Sequence, residues 1–277
     1  MQRAPLIERW RRPSVLGVLN VTPDSFSDGG AFLDPEAAVA AARAMLAAGA
    51  VAVDIGGEST RPGAPEVSAE LELERVGPVL EALRGAPMSI DTTKAEVARW
   101  ALACGAELVN DVTALRGDPE LAGFVAEAGV SVCLMHMQGD PRTMQVAPAY
   151  DDVLDDVRAF LEERLAFATA AGIDEEQICL DPGIGFGKTP DQNLELILGL
   201  PRLAELGRPL LVGLSRKSTL AKITAGPDAT VATDSASVGA AVIAFGLGAS
   251  IFRVHEVASH VEALAVAAAL ERGTVAR

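Results

Sequence analysis

Three observations predict an α/β fold built as a single (β/α)8 barrel. Eight short β-branched apolar runs recur along the 277 residues. Ala/Leu/Glu-rich stretches of helical periodicity separate them, and a glycine stands between several of these helices and the next strand. At about 35 residues per strand–helix unit the length is that of one barrel, so a second domain is not required. An open doubly wound sheet is the alternative with the same alternation.

The candidate strands are Val15–Leu19, Val51–Ile55, Met88–Ile90, Leu108–Val109, Ser131–Met135, Ile178–Leu180, Leu210–Val212 and Ile251–Val254. Most are continuous apolar runs, as expected of parallel strands covered on both faces. Pro35–Ala48 follows the first as an amphipathic helix, and Ala69–Leu83 and Ala95–Ala103 follow the second and third. Asp152–Ala171 and Asn193–Leu206 continue the series. Gly49-Ala50, Gly105-Ala106, Gly129-Val130 and Gly248-Ala249 sit where a left-handed glycine ends a helix before a strand.

Composition narrows the partners. Hydrophobic residues make up 49% and charged residues 22%, a globular balance, while an aromatic share of 4% leaves the core to Ala, Val, Leu and Ile. A formal net charge of -15 excludes nucleic acid as a general partner, since a phosphate backbone needs a basic face. A phosphate-bearing ligand must then meet a local basic pocket. Cys104, Cys133 and Cys179 show no CxxC spacing and fit a reducing, cytoplasmic setting. The start MQRAPLIERWRRP carries charges where a signal peptide needs an apolar run. The apolar stretch from Gly248 to Leu270 is interrupted by Arg253, His255, Glu256, His260 and Glu262, so no membrane span is expected.

In a barrel, chemistry concentrates where the strands end. The first strand leads into Asn20-Val-Thr-Pro-Asp24-Ser-Phe26-Ser-Asp28-Gly-Gly, and the second into Asp54-Ile-Gly-Gly-Glu58-Ser-Thr60-Arg61-Pro62-Gly63. Both are long, polar and glycine-rich, in the manner of mobile covers. The third ends at Asp91-Thr-Thr-Lys94, the fourth at Asn110-Asp111 and the fifth at Met135-His136-Met137-Gln138-Gly139. The sixth ends at Asp181-Pro-Gly-Ile-Gly185-Phe186-Gly-Lys188-Thr, the seventh at Ser215-Arg216-Lys217-Ser218 and the eighth at Arg253-Val-His255. Singly, each has a structural reading: Asp91 or Asn110 as a helix N-cap, Asp181 as a turn residue, Arg253 as a salt-bridge partner. Collectively they do not, because gathering so many polar groups on one face costs about 1–3 kcal/mol each unless they are paired.

Two look-alikes fail. Gly183-Ile-Gly-Phe-Gly-Lys188-Thr189 is not a phosphate loop, because Pro182 holds the position of its first glycine, and Lys188 holds that of the third glycine of GxGxxG. His136, His255 and His260 show no HxH or HExxH spacing, which argues against zinc. A hard Mg2+ held by Asn20 and ligand phosphates suits the residues better.

The set has two poles. Asp91, Asn110 and Asp181 offer acceptors to a flat heterocycle rich in N–H groups, and Lys217 meets a carbonyl on its far edge. Arg253, His255 and the amides of the first loop form an anion pole for a phosphate or pyrophosphate. No Ser/His/Asp or Cys/His arrangement is evident, so positioning and stabilisation of a departing anion are expected to carry catalysis.

The blocks beginning at Asn20, Asp54, Met135, Asp181, Ser215 and Arg253 resemble, in order and over nearly the whole chain, those of the dihydropteroate synthase family. The resemblance implies a folate-pathway transferase joining 4-aminobenzoate to 6-hydroxymethyl-7,8-dihydropterin diphosphate, with Mg2+ and an SN1-like departure of pyrophosphate. It implies that Asp91, Asn110, Asp181, Lys217, Met135, Gly185 and Phe186 bind the pterin. Asn20, Thr60, Arg253 and His255 attend the diphosphate, with Asn20 on the metal. Phe26, Thr60, Pro62, Phe186, Lys217 and Ser218 lie near the aminobenzoate, and Asp24 and Arg61 join Asp91, Lys217 and Arg253 in catalysis. It also implies a cytoplasmic homodimer, formed through apolar surfaces of late helices such as 234–246. The chain departs from the pattern at Gln192-Asn193, where a His-Asn pair is expected, and at Thr92-Thr93.

Two rivals stand beside this reading. A pterin-binding methyltransferase serving a corrinoid protein would share Asp91, Asn110 and Asp181 but needs no anion pole. A catalytically silent pterin binder would be expected to lose the first two loops, which are complete in this sequence.

Overall fold

A computed structural model describes residues 3–22, 34–61, 63–140 and 143–274. Eight strands, β1 (Ser14–Asn20), β2 (Ala52–Gly56), β3 (Met88–Asp91), β4 (Leu108–Asp111), β5 (Ser131–Met135), β6 (Ile178–Asp181), β7 (Leu211–Val212) and β8 (Ile251–Val254), form one parallel sheet in the order β6-β5-β4-β3-β2-β1-β8-β7. The circle closes between β6 and β7 by a Leu180–Leu210 bridge, with the Leu180 N–H donating to the Pro209 carbonyl at 3.0 Å. Closure decides for the barrel and against the open sheet.

β5 and β8 match the apolar runs and β7 is one residue shorter, but β1, β2, β3, β4 and β6 run one or two residues further at their C-terminal ends. Asn20, Asp91 and Asp181 are therefore terminal strand residues, and Asn110 is the last but one of β4, so none of them is a loop residue. Ladder pairing holds their backbones: Asp91 is in register with Asn110, and Met135 with Asp181. A polar side chain on a strand end is more rigid than one on a loop, which suits a binding group that must not reorganise.

The outer helices are α1 (Leu6–Arg9), α2 (Pro35–Ala47), α3 (Ala69–Ala82), α4 (Ala95–Cys104), α5 (Leu121–Ala128), α6 (Val153–Ala170), α7 (Pro190–Leu198), α8 (Leu200–Ala204), α9 (Ser218–Ala225), α10 (Asp234–Gly246) and α11 (Val257–Arg272). Their buried faces meet the outward residues of the strands in one apolar layer, for example Val53, Ile90, Leu134 and Phe252 against Val76, Val97, Leu161 and Leu264. The single helix expected over Asn193–Leu206 is two. Pro201 supplies no N–H to continue α7, and a Cβ on Gly199 would come 2.5 Å from Leu154 Cδ1. The first of the two starts earlier than expected because Thr189 and Gln192 form a capping box with Pro190 next in line. None of the helices among the described residues is long and apolar enough to cross a membrane.

The charged N-terminal segment closes the barrel floor. Leu6 and Trp10 are buried against Leu16, Ala52, Leu108, Cys133, Cys179, Leu211 and Ile251, the lowest inward residues of the strands. Arg9 secures the plug by donating to Glu107 at 2.8 Å, Ser131 at 2.5 Å and Gln177 at 3.0 Å. In a core with few aromatics, Trp10→Ala should cost about 3–5 kcal/mol of unfolding free energy. Urea titration of both proteins checks this, and a loss under about 1 kcal/mol would show that the plug is dispensable.

Candidate active site

The strand ends open into a cavity of about 1010 Å3 at the opposite face of the barrel. Every expected site residue that is described lines it: Asn20, Thr60, Arg61, Asp91, Asn110, Met135, Asp181, Gly185, Phe186, Lys217, Ser218, Arg253 and His255. Asp24, Phe26 and Pro62 lie outside the described residues.

One wall is apolar. Val112, Met135, Met137 and Met144 form a buried cluster with Phe186 packed on it, a surface for a flat ring. Across from it the Lys217 ammonium stands 4.2 Å from the Phe186 ring centre. Gly185 makes room for that lysine, since at φ +86° an added Cβ would fall 3.1 Å from Lys217 Cδ. Burial lowers the Lys217 ammonium to about 8, opposed by Asp181.

The loop from Gly183 to Lys188 is held from beneath. Lys188 Nζ donates to the carbonyls of Gly183 (3.0 Å) and Phe186 (2.9 Å) and meets His136 Nδ1 at 2.9 Å. Three donors and three acceptors match, provided His136 is neutral with a free Nδ1 lone pair. Burial, seconded by Lys188, lowers His136 to about 2 and so keeps it neutral. Gly183 passes so near β5 that a Cβ would lie 1.8 Å from the His136 carbonyl oxygen. Asn193 supports the same loop, accepting from the Gly185 N–H at 2.8 Å and donating to Thr219 at 3.0 Å.

The acceptor pole is assembled from three strands. Asp181 takes the Gly183 N–H on Oδ1 at 2.7 Å, leaving its second oxygen for the cavity. Burial raises its carboxyl to about 6, against the pull of the Gly183 N–H, Lys217 and Lys188. Burial also lifts Asp91 to about 7, with Arg253 opposing. Asn110 Oδ1 is buried without a hydrogen-bond partner among the described residues.

The two poles expected from the sequence are not separate. Arg253 donates from Nε to Asp54 and from Nη2 to Asp91, both at 2.6 Å, so one guanidinium ties the acceptor set to the anion set. Burial alone would lower its pKa, but Asp54 and Asp91 outweigh burial and hold its proton more tightly. Beside it His255 is held neutral: burial and then Arg253 bring it down to about 3. Ser215 Oγ accepts the His255 backbone N–H at 3.2 Å and lies 3.0 Å from Nδ1. When the Ser215 hydroxyl proton points at Nδ1, the neutral ring carries its own proton on Nε2 as a donor towards the cavity.

The second cover loop is anchored at its base. Lys94 bridges Glu58 at 2.5 Å and Glu72 at 2.7 Å, while Glu58 also accepts the Val67 N–H at 3.1 Å. Asp54, Glu58, Lys94, Lys188 and Asn193 join the expected residues here, with no role among those expected from the sequence. For Asp54 the signal was present: a carboxylate in the middle of an apolar strand.

A family profile described as "Pterin binding enzyme" matches residues 16–255. A dihydropteroate synthase of Escherichia coli strain K12 is 48% identical over 258 residues, covering 92% of this chain and 90% of that one. A solved Xanthomonas albilineans dihydropteroate synthase with 4-aminobenzoic acid superposes with a TM-score of 0.86 at 48% identity, covering 95% and 94% of the two chains. Another structure of that enzyme, in complex with 7,8-dihydropteroate, gives 0.82 at 45% identity, with 95% of each chain covered.

Proposed function

The chain belongs to the dihydropteroate synthase family of pterin-binding enzymes, transferases of folate synthesis, and on that premise we propose how its barrel mouth works. The site joins 4-aminobenzoate to a dihydropterin carrying a methyl diphosphate arm and releases diphosphate. The observation that carries this reading is the buried, unpartnered Asn110 Oδ1, on a residue that lines the same cavity as Asp91 and Asp181. Three acceptors around one slot call for a ring edge made of N–H donors, such as the aminopyrimidinone of a pterin.

The ring lies against Met135 and Phe186 with Gly185 beneath it. Asn110 and Asp181 accept from its amine and ring N–H groups, and Lys217 donates to its carbonyl. The diphosphate arm points to Arg253 and the Nε2–H of His255, with Thr60 alongside. Charge-assisted contacts there favour the anion as it gathers charge. The C–O bond to the methylene breaks with both electrons leaving on the diphosphate. The resulting methylene cation is shared with the electron-rich ring and faced by Asp91. The arylamine nitrogen then forms the new C–N bond and loses a proton. A weakly basic arylamine is already a free nucleophile at neutral pH, so no strong base is needed. Lys217, Ser218 and the N-terminal amides of α9 receive the aminobenzoate carboxylate, beside Phe186. Arg61 from the second loop, with Asp24, Phe26 and Pro62 as the resemblance implies, completes the cover.

Asn20 ends β1 above Gly56, whose added Cβ would lie 3.7 Å from Asn20 Oδ1. No cluster of three His, Cys, Asp or Glu is present among the described residues, so a Mg2+ would be held by Asn20 together with ligand phosphate oxygens. When bound it would neutralise charge on the departing diphosphate. For a homodimer, the exposed Ile243 of α10 and Val266 and Leu270 of α11 offer an apolar face.

Diphosphate release is expected only when the pterin diphosphate, 4-aminobenzoate and Mg2+ are all supplied, read by a coupled pyrophosphate assay. Strict inactivity with pterin binding intact would overturn the catalytic reading in favour of a silent binder.

A further inference from the structure

Asp54 sits one pleat below the mouth on β2, fully buried, and does not line the cavity. Its carboxylate receives three donors. Ser89 Oγ–H reaches Oδ1 at 2.6 Å, while Arg253 Nε at 2.6 Å and Asn110 Nδ2 at 3.0 Å both reach Oδ2. The donors come from β3, β8 and β4, so the carboxylate is pinned from both sides of the barrel and cannot turn.

We propose that Asp54 is a positioning residue for ring recognition, locking the Asn110 amide with its nitrogen inward and its oxygen towards the cavity. The inference rests on the pterin-site reading and gives that site the origin of its selectivity. Shape does not distinguish the two ends of an amide; the partner does. A carboxylate in an ion pair with Arg253 only accepts, so Asn110 must present its NH2 group to Asp54. The reverse orientation would set oxygen against oxygen inside the protein, where unpaired acceptors are costly. Asn110 is thereby committed to accept from the ligand. Without Asp54 the same asparagine could turn and meet either a donor or an acceptor on the ring, and the site would lose discrimination against rings that carry oxygen where pterin carries nitrogen.

The probe is unphosphorylated 6-hydroxymethyl-7,8-dihydropterin, whose dissociation constant is measured by calorimetry. Asp54→Ala should weaken it at least about tenfold. Asp54→Asn should stay within about threefold of the unmutated protein, because its amide keeps an oxygen towards Asn110 and turns its NH2 to Ser89. In an Asn110→Ala background, Asp54→Ala should add less than about twofold. Side-chain 15N resonances of asparagine in the unmutated protein test the same point whether or not Asp54→Ala folds. The Asn110 NH2 pair, identified by its loss in Asn110→Ala, should scarcely move when the ring binds.

Additive losses, or a large shift of the Asn110 NH2 pair on ring binding, would overturn the role of Asp54 and leave the pterin site standing. Failure of the unmutated protein to bind the ring would overturn the site reading itself, and this one with it.

Discussion

Arg253→Ala is expected to cost about 3–5 kcal/mol of stability and to weaken the pterin diphosphate far more than the unphosphorylated ring. The stability loss follows from what remains. Asp54 and Asp91 are both deeply buried, each faces Arg253 at 2.6 Å, and removal of the guanidinium leaves two carboxylates without their cation. Asp91, already raised by burial, would take up a proton at a still higher pH. The binding loss follows from the anion pole, where His255 is neutral and offers a dipole in place of a charge. Arg253→Lys should recover part of the stability, because an ammonium cannot span two carboxylates in the geometry of a guanidinium fork. Denaturant titration and calorimetry with both ligands read the two effects. Equal losses for ring and diphosphate would remove Arg253 from the anion site, and a stability change under about 1 kcal/mol would contradict the ion-pair account.

Asp181→Asn is expected to lower kcat/KM about 100-fold or more while leaving the fold at least as stable at alkaline pH. Its Oδ1 position is taken by the Gly183 N–H, so the substituted amide turns its NH2 towards the cavity, donor against ring donor. Losing two charge-assisted hydrogen bonds worth about 1.5–3 kcal/mol each accounts for a loss of that size. The sign of the pH effects follows from burial, which raises the carboxyl to about 6, above its ordinary range. Ring binding needs the ionised form, so affinity should fall as pH drops through about 6, and the substitution should flatten that limb. The stability contribution runs the other way. A carboxyl raised on folding stabilises fully below its unfolded pKa of about 3.9 and loses that contribution as pH rises through the folded value. The unmutated protein therefore carries a desolvated charge at alkaline pH that the amide does not. A pH-independent affinity in the unmutated protein, or a less stable Asp181→Asn protein at about pH 8, would contradict this assignment.

How much could be read in advance differs residue by residue, for physical reasons. Asp91, Asn110 and Asp181 announce themselves because a polar residue ending an apolar parallel strand has only the mouth to face. Pro201 and the Thr189–Gln192 capping box likewise carry the break between α7 and α8 and the start of α7 in local chemistry, although the periodicity of 193–206 conceals both. Lys188 was legible only as something it is not, a failed phosphate loop. Its work is to hold two carbonyls and a neutral histidine that directly follows β5, 52 residues earlier.

What the amino-acid sequence determined by itself is the alternation of strands and helices, the placing of polar residues at the strand ends, and the family to which those blocks belong. These depend on short-range periodicity and on the residue types that a ring and an anion require. The tertiary structure alone decided that the circle closes, that Leu6 and Trp10 plug its floor, and that Arg253 joins two poles through Asp54 and Asp91. Each of those is a contact between residues far apart in the chain, Arg253 and Asp54 being 199 positions distant. No local pattern specifies such a pairing, because its energy arises only when closure has excluded water from the barrel interior and left each charge no other partner.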